Sequence, residues 1–134
     1  MDLSLMYEIN TVDPDDRDEV HQRYREMVEQ VELADKLGFR TAWFTEHHFL
    51  PGLSHSSASE VTLSYLAGRT KDIRLGHAVT LLPHAINHPL RVAERVATLD
   101  LLSGGRVEFG GGRSITVAEL LAFGIQPEDS RSQY

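Results

Sequence analysis

Residues 73–82 read Ile73-Arg74-Leu75-Gly76-His77-Ala78-Val79-Thr80-Leu81-Leu82, and this stretch decides the fold class. After Gly76 it is almost continuously apolar, the pattern of a strand covered on both faces rather than one alternating between core and water. Strands of that kind belong to parallel sheets, which need helical crossovers, and the flanking segments supply them. Ser59 to Arg69 reads as a helix before the strand. After it, Pro83 and Pro89 bracket a loop. Val92, Ala93, Val96, Ala97, Leu99 and Leu102 then mark a helix that Ser103-Gly104-Gly105 stops.

The same unit recurs outward in both directions. Asp2 to Tyr7 alternates polar and apolar residues and predicts a first strand. Pro14 and its acidic neighbours open a helix from about Asp16 to Leu37, with Tyr24, Met27, Val31, Ala34 and Leu37 at helical spacing and Gly38 as its stop. Arg40 to Thr45 is rich in β-formers and gives a second strand. Arg106 to Phe109 gives a fourth, leading into Gly110-Gly111-Gly112 and a short helix near Val117 to Phe123. Four strands alternating with four helices define an α/β fold of right-handed βαβ units around a parallel sheet. Leu5, Ala42, Phe44, Val79 and Val107 are the side chains expected to fill the interior of such a sheet were it to close.

Composition excludes several functions. The formal net charge of -7 opposes nonspecific binding to nucleic acid, and no Lys/Arg stripe offsets it. The acidic residues between Asp13 and Glu32 read as a solvated helix face or, alternatively, an acidic docking surface. With no cysteine there is no disulfide, thiolate metal site or cysteine nucleophile. No apolar run is long enough to cross a bilayer, and Met1-Asp2-Leu3-Ser4 lacks an export pattern, so no membrane partner and a cytoplasmic location are expected.

The residues that could carry chemistry gather where strands deliver the chain into βα loops, the functional end of a parallel sheet. Glu46-His47-His48-Phe49 follows the second strand, His84 to His88 the third, and Gly110 to Ser114 the fourth. Adjacent His47 and His48 point opposite ways in extended chain, so one of them at most faces a pocket, as a proton donor, acceptor or anchor for a developing anion. The pair reads equally as a structural one. Gly110-Gly111-Gly112-Arg113-Ser114 is either a tight turn or an anion site, with glycine N–H groups approaching the anion and Arg113 gripping it. Of the seven histidines, His84 and His88 have ligand-like spacing, but the flanking prolines disfavour a regular helix and no HExxH is present. No metal is expected.

Taken together, these strings resemble the luciferase-like monooxygenases. The matching pieces are Trp43-Phe44-Thr45-Glu46-His47-His48-Phe49, Arg69-Thr70, Ile73-Arg74-Leu75-Gly76, Leu82-Pro83 and His88-Pro89-Leu90-Arg91-Val92-Ala93-Glu94. Leu99-Asp100, Ser103-Gly104-Gly105-Arg106-Val107-Glu108-Phe109-Gly110 and Phe123-Gly124-Ile125 continue them in order, so the resemblance covers essentially the whole chain.

The resemblance implies a TIM-barrel fold, a reduced flavin, usually FMN, and oxidation of a small organic substrate by dioxygen, with a flavin reductase supplying the reduced flavin. A deazaflavin-dependent oxidoreductase is the alternative. By the match, His47 is the catalytic residue, Arg113 the contact to the flavin phosphate beside Gly111 and Gly112, and Ala78-Val79 the pair at a non-proline cis peptide under the flavin ring. Gly112 stands where bacterial luciferase has a reactive cysteine. A complete (β/α)8 barrel needs about 250 residues, so residues 1–134 are expected to form its N-terminal half, about half a barrel of four βα units. The partners expected for such a half are a second copy of the chain, as a homo-oligomer, or a complementary half-barrel subunit. A non-catalytic half-barrel subunit or a truncated product is the remaining alternative.

Overall fold

Strands and helices alternate as β1 (Ser4–Tyr7), α1 (Arg17–Lys36), β2 (Thr41–Phe44), α2 (Ser59–Ala67), β3 (Arg74–Leu81), α3 (Pro89–Ser103), β4 (Val107–Gly112) and α4 (Val117–Ala122). A 3-10 turn, Pro127–Asp129, follows. This computed structural model describes residues 2–133; Met1 and Tyr134, the outermost positions of the expected unit, lie outside them. The strands form one sheet in the order β1-β2-β3-β4, every pair parallel. Consecutive parallel neighbours joined by helices are the wall of a (β/α) barrel, and four of its units are present.

Local chemistry sets the boundaries. The Asp16 carboxylate accepts from the N–H groups of Asp18 and Glu19 at 2.9 and 3.2 Å and starts α1. Gly38, at φ +76°, turns the chain out of it. Pro89 occupies the first turn of α3, where its missing N–H costs nothing, and left-handed Gly104 ends that helix. At the strand N-terminal end two ionic side chains tie the layers together. Asp35 accepts from the backbone N–H groups of Lys71, Asp72 and Ile73 at 2.7–2.9 Å, joining the end of α1 to the entry of β3. Arg106 is buried and donates to the carbonyls of Ser103, Ile73, Ala67 and Thr70 and to the Thr70 hydroxyl.

The core lies between sheet and helices. Ala42 and Phe44 are fully buried with Leu75 against Met27, Val31 and Ala34 of α1 and Leu63 and Leu66 of α2, and Leu5 and Val107 pack on the same cluster. The sequence-based assignment of Leu5, Ala42, Phe44 and Val107 to the barrel interior is therefore corrected: they face the helices. A strand apolar on both faces does not announce which face is which. The opposite face carries the row Met6, Trp43, Gly76 and Glu108. Val79 alone of the expected five stays on the side of the candidate site. Leu37, Ala93, Ala97 and Leu102, among the apolar positions that mark their helices in the sequence, are exposed.

β4 also differs from expectation. It does not end at Phe109 but runs through all three glycines, which pair with Ala78, Thr80 and Leu81 across a register shift. A Cβ on Gly112 would sit 2.3 Å from Val79 Cγ2, and one on Gly111 2.5 Å from Leu82 Cδ1. The glycines are thus strand residues that let β3 side chains cross close to the β4 backbone, rather than a strand-to-helix turn.

Gly76 makes the same kind of contact with β2: a Cβ there would lie 2.2 Å from the Trp43 ring. Gly76→Ala is expected to destabilise the chain by about 1–3 kcal/mol, the usual cost of overpacking. In Trp43→Leu, which removes the ring, the same substitution should cost less than half as much. Equal costs in both backgrounds, measured by denaturant unfolding, would show that the ring is not what excludes the side chain.

Candidate active site

The C-terminal ends of the strands carry unusual backbone. Ile9 after β1, Phe49 after β2 and Ser114 after β4 hold left-handed conformations at φ +56° to +59°, and β3 contains a non-proline cis peptide at Ala78–Val79. A left-handed non-glycine residue costs roughly 1–3 kcal/mol and persists where surrounding contacts fix it, most often at functional sites. Three such residues mark this end of the sheet.

One of them, Ser114, is bonded to Glu119 of α4, whose exposure is 0%. Its carboxylate accepts from the His48 N–H at 2.6 Å, from the Ser114 hydroxyl at 2.7 Å and from His47 Nδ1 at 3.1 Å. Burial pushes the Glu119 carboxyl up, but the hydrogen bonds from Ser114, His48 and His47, with the attraction of His47, outweigh it and hold the group below the ordinary carboxylate value. A carboxylate can only accept, so the His47 hydrogen resides on Nδ1 and Nε2 is left to take or give a proton. His47 lines a cleft of about 270 Å³ and keeps a quarter of its side chain exposed.

His48 turns away. Its Nε2 lies 3.0 Å from Glu46 Oε1, and its ring meets Phe123 edge-on with centroids 5.0 Å apart. Buried Glu46 also accepts from the Leu81 N–H and from Asn87 Nδ2, both at 2.9 Å. Asn87 in turn accepts from Arg95, which is paired with Glu60. This chain of polar groups pins the exits of β2 and β3 to α2 and α3. Behind it lies His77, which is buried, with Nδ1 beside the hydroxyls of Ser59 and Thr80.

The cleft brings together most of the residues singled out in the sequence. His47, Ala78, Val79, Gly112 and Arg113 all line it, with Leu81 and Ile115 as apolar walls. Gly111 stands one residue back in β4, opposite Thr80. Two larger hollows, about 360 Å³ beside β1 and about 510 Å³ between α1 and α2, contain no histidine. Among the described residues no group of three His, Asp or Glu could hold a metal, and no helix is long and apolar enough to cross a membrane. Sequence reasoning missed Glu119. The available signal was one acid within Val117-Ala118-Glu119-Leu120-Leu121-Ala122, an apolar turn in which a charge needs partners.

A family model described as luciferase-like monooxygenase matches residues 5–133. The chain belongs to the luciferase-like monooxygenase family. Among its relatives, limonene 1,2-monooxygenase of Rhodococcus erythropolis is 40% identical over 104 residues, covering 78% of this chain and 26% of that protein. Among solved structures, the monooxygenase RslO1 of Streptomyces bottropensis superposes with a TM-score of 0.88 at 32% identity, over 100% of this chain and 40% of its own. The oxygenating constituent of 3,6-diketocamphane monooxygenase from Pseudomonas putida, solved in complex with FMN, gives a TM-score of 0.84 at 22% identity, over 94% of this chain and 33% of its own. At that identity the last shows the fold alone. The chain thus spans about a quarter to two fifths of the length of these proteins.

Two buried groups set an acid limit to stability. Burial holds the His77 pKa below the ordinary 6.5, so the unfolded chain binds that proton first; its contribution is complete above pH 6.5 and is lost as pH falls below it. Glu119, held below its ordinary 4.5, contributes stability above that pH, lost as pH falls through its folded value. Urea midpoints are expected to fall first below about pH 6.5 and again below about 4.5, with the first decline reduced in His77→Gln. A variant that declines like the parent would clear His77 of the effect.

Proposed function

We propose that this chain is part of a flavin-dependent monooxygenase that uses reduced FMN and dioxygen to oxidise a small organic substrate. The observation that carries the reading is the meeting, in one cleft, of a histidine oriented by a carboxylate, the Ala78–Val79 stretch and Arg113. The residues suit a flavin with a phosphate tail. Ala78, Val79 and Gly112 form a small, largely apolar floor, and Arg113 offers a cation without a carboxylate partner among the described residues. Bound reduced FMN supplies the electrons that activate dioxygen. A separate flavin reductase is the partner expected to deliver it.

In this reading the chain's own residues do three things. Arg113 holds the phosphate by charge-assisted hydrogen bonds. Val79, Leu81 and Ile115 keep the space between Arg113 and His47 apolar, which strengthens any hydrogen bond formed there. His47, with Nδ1 fixed on Glu119, accepts or delivers a proton at Nε2 or stabilises a reacting oxygen by hydrogen bonding.

Among the described residues the four strands leave β1 and β4 without outer neighbours, and on the Met6–Trp43–Gly76–Glu108 face Trp43 and Glu108 are half-buried. Met6 is 63% exposed. We read residues 1–134 as the N-terminal half of the barrel. The other strands come from further chain, a second copy or a complementary half.

In the flavin-binding assembly His47→Ala should lower turnover about a hundredfold or more while leaving flavin affinity nearly unchanged, and His48→Ala should do less. Turnover within twofold of the parent would remove His47 from the mechanism. FMN absorbance, in place of the deazaflavin spectrum, should bleach on reduction.

For the isolated chain, flavin binding should strengthen with protein concentration as the barrel closes. A monomer by sedimentation at micromolar concentration, with concentration-independent FMN binding, would show that four units suffice.

A further inference from the structure

Arg113 is held in place by a neutral group. Its Nη1 donates to Ser130 Oγ at 2.8 Å, and it takes part in no ion pair among the described residues. Six other arginines, Arg23, Arg40, Arg69, Arg74, Arg91 and Arg95, each face a carboxylate. Arg106 is enclosed by carbonyls. A carboxylate in the place of Ser130 would fix the guanidinium and cancel its charge. A hydroxyl fixes it and leaves the charge, with four further N–H donors, for something else.

Ser130 is built for that task. Its exposure is 0%, and its own proton goes to the Pro127 carbonyl at 2.9 Å, so a lone pair must face Arg113. The Pro127–Asp129 turn that carries it packs on α4, the helix whose Glu119 orients His47. One short segment therefore holds both ends of the cleft, the proton-handling ring through an anion and the cation through a neutral oxygen.

We propose that Ser130 is the positioning residue of an anion site, aiming an uncompensated Arg113 at the phosphate monoester of the bound flavin. The proposal rests on the flavin reading above. The phosphate accepts N–H hydrogens from Arg113 while Nη1 stays on Ser130; no covalent step is involved.

The test titrates FMN, riboflavin and inorganic phosphate against the parent assembly, Ser130→Ala and Arg113→Ala. The parent should prefer FMN to riboflavin, and Arg113→Ala should lose most of that preference. Ser130→Ala should lose about tenfold of it, the scale of one charge-assisted hydrogen bond, with riboflavin affinity within twofold. Ser130→Thr, which restores a hydroxyl, should recover it. A merely structural Ser130 would weaken both flavins alike, and that result overturns the proposal, as does an unchanged preference in Ser130→Ala. A parent that binds no flavin, or binds both equally, overturns the functional reading and this proposal with it. Inorganic phosphate binding that depends on Ser130 without any FMN preference would assign the site to free phosphate instead. Should Ser130→Ala fail to fold, a crystal structure of the parent with FMN decides: a phosphate on Arg113 with the Ser130 contact intact supports the proposal, and an Arg113 that leaves Ser130, or a phosphate elsewhere, refutes it.

Discussion

A fully buried carboxylate needs donors, and at Glu119 the donors come from two loops that the sheet alone would leave independent. Two partners, the His48 backbone N–H and the Ser114 hydroxyl, lie within 2.7 Å, and His47 Nδ1 adds a third. An ion taken out of water without such partners would cost several kcal/mol, so the loops after β2 and β4 are tied to α4 as a condition of folding. Ser114 directly follows Arg113 in the chain. The same ion that orients His47 therefore also fixes the backbone from which the guanidinium departs.

Close packing between β3 and β4 sets the other dimension of the cleft. Val79 crosses over Gly112 and Leu82 over Gly111, approaches that any side chain on β4 would block. The floor of the cleft is consequently lined by the small residues Ala78, Val79 and Gly112. Larger residues there would fill the cleft before any ligand could.

The two ends of the sheet divide the work. At the strand N-terminal end, Asp35 and Arg106 satisfy backbone groups and contribute nothing that points outward. At the C-terminal end, Glu46 and Glu119 satisfy backbone groups and histidines together. The same carboxylates thus hold both backbone and imidazole groups there.

Much of this was legible in the chain itself. The alternation of apolar strands with capped helices gave the parallel α/β fold, and the ordered strings from Trp43 to Ile125 gave the family, because each depends on local pattern. Placing His47, Ala78, Val79, Gly112 and Arg113 at one end of the sheet also follows from that alternation. The facing of Ala42 and Phe44 toward the helices was not legible, since a strand buried on both sides has no polar face to mark its phase. Nor was the strand role of Gly110 to Gly112, because a glycine run looks the same whether it serves a turn or a close crossing. Glu119 and Ser130 acquire their meaning only when α4 and its following turn fold back over the cleft. A carboxylate or a hydroxyl is defined by what donates to it and accepts from it, and those partners lie up to 72 residues away in sequence. Only the tertiary structure brings them within hydrogen-bonding distance.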